Sequence, residues 1–98
     1  MRQTALRRKI QQIQERISVL RAEVVVLNEQ IAVLDEEVEE LRVRAVVAET
    51  PIATKEHAEA ARHAALAHRA RSTATETLVN LEHERDTLLE SVVLEVPT

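Results

Sequence analysis

Apolar residues recur through the first half of the chain at Leu6, Ile10, Ile13, Ile17, Leu20, Val24, Leu27, Ile31, Leu34, Val38, Leu41, Ala45 and Ala48. The intervals alternate four and three without a slip, the heptad repeat of a helix that packs along a seam against another helix. The a positions are Ile10, Ile17, Val24, Ile31, Val38 and Ala45, and the d positions are Leu6, Ile13, Leu20, Leu27, Leu34, Leu41 and Ala48. This pattern predicts one helix over about 2–48. Leu27, a d residue in mid-helix, is expected to be fully buried.

Glu49-Thr50-Pro51 interrupts the pattern. Proline disfavours helix at the residue before it and cannot continue a helical ladder. Either Thr50 caps a new helix with Pro51 at N1, or Thr54 caps it after a short loop. The favoured reading is Thr54, with a turn over about 49–54 and a second helix over about 55–94. The stretch Val92-Val93-Leu94-Glu95-Val96-Pro97-Thr98 is β-branched and ends near proline, so it is expected to fray, leaving a tail at 95–98.

Helix 2 changes character midway. Its first half is crowded with alanine, from Ala58 to Ala74, and its second half carries Leu78, Leu81, Leu88 and Val92. One seam runs through Ala60, Ala64, Ala67, Ala74, Leu78, Leu81, Leu88 and Val92, with Arg71 and Arg85 interrupting it. The alanines fit two readings: close approach between helices, or simple helix propensity.

Charge decides the topology. Residues 1–21 carry a net +5, 22–50 a net −6, 51–73 a net +2 and 74–98 a net −5, which together make the formal −4. Each helix is basic toward its N-terminus and acidic toward its C-terminus, opposite to what its own dipole favours. An antiparallel hairpin sets these gradients against each other, with the acidic end of helix 2 beside Arg2, Arg7, Arg8, Lys9 and Arg16. A parallel pair would align like with like.

Helix 1 also bears a second apolar face: Val19, Ala22, Val25, Val26, Ala32 and Val33, then Val43, Val46 and Val47. Two stripes mean neighbours on two sides. The expected fold is therefore all-α: a long antiparallel helical hairpin, one domain over 1–98, paired as a homodimer into a four-helix bundle. Ile or Val at a with Leu at d favours parallel two-stranded coils. A parallel dimer through helix 1 would pair Glu37 with Arg42 and Arg44 with Glu49, but would oppose Arg16 and Arg21. An antiparallel dimer cancels the +5 and −6 halves, and is preferred. The expected interface residues are Ile10, Ile17, Val19, Leu20, Val24, Val26, Leu27, Ile31, Val33, Leu34, Val38 and Leu41.

Composition narrows the function classes. The chain has no Phe, Tyr, Trp, Gly or Cys. Without aromatic rings, burial must come from long seams between helices. Without glycine, phosphate-cradling loops and most tight turns are removed. Without cysteine there is no disulfide framework, thiolate nucleophile or zinc-finger ligand set. The longest apolar run in helix 1, Val24 to Leu27, is far below a membrane span, so a cytoplasmic location is the default expectation. Arg outnumbers Lys 11 to 2, a coding bias of GC-rich genomes.

The histidines are His57, His63, His68 and His83; no two share the i, i+3 or i+4 spacing of a helical metal pair, and no Glu lies three residues before a His. Glu59 and His63, four apart, make at most half a site and read as a solvated pair. Asp35-Glu36-Glu37 and Glu39-Glu40 read as a solvated face or as partners for helix 2 bases, because paired carboxylates do acid–base work only in a cleft. Ser18, Ser72 and Ser91 have no His and Asp at a nucleophile's spacing. The expectation is no catalytic residue, no metal and no cofactor.

The N-terminal bases could suggest nucleic acid. A basic zipper, however, places its basic region before the first heptad. Here Arg7, Arg8 and Lys9 lie inside the repeat, no aromatic residue is present to stack on bases, and net charge is negative, so nucleic acid is an unlikely partner. The unbroken heptads likewise disfavour a membrane-surface helix over 1–17. What remains is a non-enzymatic coiled-coil scaffold or adaptor that self-associates and binds an unidentified protein partner. The alternatives are a small helical chaperone or secretion accessory protein holding a client segment, and a nucleic-acid-associated protein using the Arg-rich end. Fold-level likeness does not choose among them.

Overall fold

The computed structural model describes residues 2–95, which form two α-helices, α1 (Arg2–Ala48) and α2 (Pro51–Glu95), joined by Glu49-Thr50. The topology is the helical hairpin that the charge gradients require.

The turn is tighter than the sequence reading favoured. Glu49 adopts φ 54°, and its N–H donates to the Ala45 carbonyl at 3.1 Å. That is the αL way of ending a helix, normally assigned to glycine, here carried by a residue with a Cβ because the chain has none. Thr50, not Thr54, is the N-cap of α2. Its Oγ1 accepts the Ala53 N–H at 3.2 Å, with Pro51 at N1, where its missing N–H is no loss. Thr54 lies inside the first turn, and its hydroxyl donates to the Thr50 carbonyl at 3.1 Å. Starting α2 at Pro51 rather than near 55 brings Ala53 into the seam, where it is buried. That burial is the physical reason the earlier cap wins.

The α2 seam is itself an unbroken heptad: Ala53, His57, Ala60, Ala64, Ala67, Arg71, Ala74, Leu78, Leu81, Arg85, Leu88 and Val92 are all buried or half-buried. We label His57, Ala64, Arg71, Leu78, Arg85 and Val92 as a, and the others as d. Helix continues through Val92 and Val93 to Glu95, so fraying does not start at Val92; its place in the seam outweighs the β-branched penalty. Residues 96–98 of the expected tail lie outside the described residues.

Two compact units can be distinguished: one joins α1 up to Glu23 with α2 from Ala74 onward, and the other comprises Val24–Thr73. The first is built on large side chains. Ile13, Ile17 and Leu81 form its core, with Leu20, Leu78 and Leu88 packed against them. Ile17 is 0% exposed. In the second unit the large residues come from α1, led by buried Ile31, and α2 answers with buried Ala53, Ala60 and Ala64. The two readings of the alanines thus divide by position. Those on the seam are buried against α1, whereas Ala58, Ala65 and Ala70 are exposed and serve helix propensity alone.

Leu27 is half-buried rather than fully buried. Beside it, the Arg71 guanidinium of α2 donates to the adjacent Asn28. Every other a and d residue from Leu6 to Ala45 is also buried or half-buried, and Ala48 is exposed.

Candidate interaction surface

The helices meet along two flanks. On α1 the e positions Gln14, Arg21, Asn28 and Asp35 follow one another at intervals of seven. In the first unit Arg85 Nη1 donates to Gln14 Oε1 at 3.1 Å, and Arg21 pairs with Glu82 at 3.5 Å. In the second, Arg71 Nη1 donates to Asn28 Oδ1 at 3.1 Å, and His68 Nε2 lies 2.9 and 3.1 Å from the two Asp35 carboxylate oxygens. Arg71 Nη2 also sits 3.3 Å from His68 Nδ1. A guanidinium only donates, so Nδ1 accepts and Nε2–H is the donor toward Asp35. The e flank is therefore closed by polar contacts in both units.

Arg71 and Arg85, which interrupt the apolar seam, are half-buried and answer neutral amides rather than carboxylates across the interface. Arg85 Nε additionally donates to its neighbour Asp86 at 3.1 Å. A charged residue at a single a position costs stability but marks register, because any slip would strand it without its acceptor.

The g flank is more open. Lys9 and Glu84 approach to 3.9 Å in the first unit. Beside them lies a groove of about 600 Å³ lined by Gln12, Glu15, Arg16, Val19, Leu20 and Thr77. In the second unit a smaller groove of about 260 Å³ is lined by Glu37, Leu41, Glu56, Glu59, Ala60 and His63. Glu59 and His63 thus share a wall, but among the described residues no three ligating side chains gather as a metal would need. Of the acidic clusters, Asp35 is taken by His68. Glu39 receives a bidentate pair from Arg42 on its own helix, Nε to Oε2 at 2.9 Å and Nη2 to Oε1 at 2.6 Å. That hydrogen bonding, helped by the charges of Arg42 and His57 and opposed by slight desolvation, holds the Glu39 carboxyl below the ordinary carboxylate range. The same pair pushes Arg42 up. Ser91 donates to the Thr87 carbonyl, and Ser18 and Ser72 are exposed.

The expected interface residues fall into two groups. Ile10, Ile17, Leu20, Val24, Leu27, Ile31, Leu34, Val38 and Leu41 line the seam between α1 and α2. Val19, Val26 and Val33 stand outside it, 59, 50 and 65% exposed. Val25, Val43, Val46 and Val47 on α1 are likewise exposed, as are Leu66 and Val79 on α2. Sequence reasoning missed the polar e flank and the seam roles of Ala53 and His57. Counting the α2 heptad backward from Ala60 in steps of three and four would have found the latter two. No described helix is long and apolar enough to cross a membrane. Comparison of the chain with protein-family models, curated proteins and solved structures finds no match.

Proposed function

We propose that this protein is a non-enzymatic coiled-coil scaffold that self-associates and binds a protein partner through helical surfaces. The observation that carries this reading is the row of exposed valines at one heptad position of α1, Val19, Val26 and Val33. Isolated surface valines need no explanation, but a repeated stripe beside a groove is the usual mark of an interaction site. Surface area points the same way. The chain leaves 7350 Å² accessible, whereas a compact monomer of 11.1 kDa would expose roughly 5,700 Å². A chain without rings or disulfides has few other sources of stability.

Sedimentation equilibrium across a hundredfold concentration range tests self-association. A homodimer whose stability rises with concentration is expected, and a concentration-independent folded monomer would refute it. The groove containing Val19 and Leu20 favours a second reading, a small helical chaperone that holds a client's apolar segment. On that reading an apolar peptide would compete with a fluorescent apolar dye for the assembled protein; no competition would exclude it.

A further inference from the structure

Within the second unit, the face of α1 turned away from the seam is apolar at both ends and acidic between them. Its b, c and f positions bring Val25, Val26 and Val33 to one end and Val43, Val46 and Val47 to the other, all exposed. Glu36, Glu39 and Glu40 fill the band between the two valine clusters. We infer that this face docks a basic, amphipathic helix of another protein, three heptads long, with apolar residues at its ends and bases in its middle. The inference rests on the partner binding proposed above and names the face and the partner's chemistry.

Length and spacing call for a helix. Val26, Val33 and Val47 share the c row of one continuous helix, and Val26 to Val47 spans roughly 30 Å, which a helix laid lengthwise can follow. Charge calls for a basic one. The charged residues at the b, c and f positions from Val25 to Val47 are Glu29, Glu36, Glu39 and Glu40, and none is basic. Arg42 answers Glu39, whereas Glu29, Glu36 and Glu40 make no hydrogen bond or ion pair among the described residues. The stretch 24–48 holds six acids and two bases, a net −4. Its second base, Arg44, stands at a g position on the flank and is the charge that opposes a basic partner. A second copy presenting the same face would lay that net −4 on itself in either direction. The basic stretch 1–21 of a second copy would answer the charge but not the valines, because among its described residues Val19 alone is a large exposed apolar side chain. The same carboxylates repel nucleic acid and an anionic membrane surface.

The probe is a three-heptad helical peptide with leucines in its first and last heptads and lysines in the middle one, titrated against the full chain. Binding that weakens as salt is raised is expected. The same peptide with glutamates in place of the lysines should not bind. Glu36→Lys combined with Glu40→Lys should weaken the lysine peptide on the order of tenfold and admit the glutamate peptide. Val46→Ser should weaken the lysine peptide as well. All three positions are exposed, so the hairpin is retained, and the helicity of each variant verifies it. A lysine peptide that does not bind, that binds no better than its glutamate counterpart, or that ignores these variants would overturn the inference. Tighter binding of a peptide of residues 1–21 would give the face to a second copy and overturn it too. Sedimentation of the unmodified chain separates the two levels. A dimer that leaves the lysine peptide unbound refutes only this face and partner, whereas a monomer that binds the peptide refutes self-association and upholds them.

Discussion

Arg71 of α2 donates to Asn28 of α1 across the seam at 3.1 Å, although it occupies an a position that an apolar side chain would fill better. The same guanidinium touches His68, which in turn holds Asp35, so one charged seam residue ties together three polar neighbours. An interhelical contact made only in one register is a specificity device more than a source of stability.

Replacing Arg71 with leucine should accordingly raise the unfolding free energy, by about 1 kcal/mol, while loosening the register. Denaturant melts measure the first effect. Duplicated amide resonances in the Asn28–Asp35 stretch measure the second. A loss of stability would show that the Arg71 contacts are net stabilising and that the seam needs them.

Burial ranks the leucines of the seam. Leu81, 5% exposed and part of the Ile13–Ile17 core, should cost roughly 2–5 kcal/mol on truncation to alanine. Leu27, half-buried beside a position held by arginine, should cost less, about 1–2 kcal/mol. Equal losses in denaturant unfolding would mean that the seam is covered at Leu27 by something beyond α2 of the same chain.

The hairpin was legible because two independent signals agreed. The alternation from Leu6 to Ala48 marked the helix, and the charge gradients of the two halves cancel only in an antiparallel arrangement. The start of α2 was misplaced because Thr50 and Thr54 are equally good caps by local chemistry, and the choice was made by tertiary burial of Ala53. The e flank was illegible for a similar reason. Gln14 and Asn28 look like ordinary surface residues until the antiparallel register sets them opposite Arg85 and Arg71. The outer valines could be read as a surface stripe, but their occupant is a property of another surface and cannot be read from their own pattern.

The connection between the helices offers a stability test with opposite signs. Glu49 holds φ 54° with a Cβ, a conformation that costs a non-glycine residue roughly 1–2 kcal/mol. Glu49→Gly should stabilise the protein by about 0.5 kcal/mol, after allowing for the added freedom of the unfolded chain. Thr50→Ala should instead destabilise it by about 1 kcal/mol through loss of the cap on the Ala53 N–H, while Thr54→Ala should cost less. Thermal melts of the three variants decide it. If Thr54→Ala costs more than Thr50→Ala, the cap is assigned to the wrong threonine.

The Glu39–Arg42 pair predicts a pH response with a definite sign. Arg42 hydrogen bonds favour the ionised carboxylate of Glu39, so its folded-state pKa lies below the unfolded one. A group shifted in that direction contributes its stability in full above the unfolded carboxylate value and loses it as pH falls through the depressed folded value. The pair is solvent-exposed on both sides, so the effect on global unfolding is small and the local titration is the better measurement. In carboxyl-carbon NMR, Glu39 should titrate below the ordinary glutamate range, and Arg42→Gln should return it to that range. His57→Ala should move the midpoint upward by a smaller amount, since that side chain acts only through its charge and makes no hydrogen bond to the carboxylate. A Glu39 midpoint unchanged in Arg42→Gln would mean that the bidentate contact does not persist in solution.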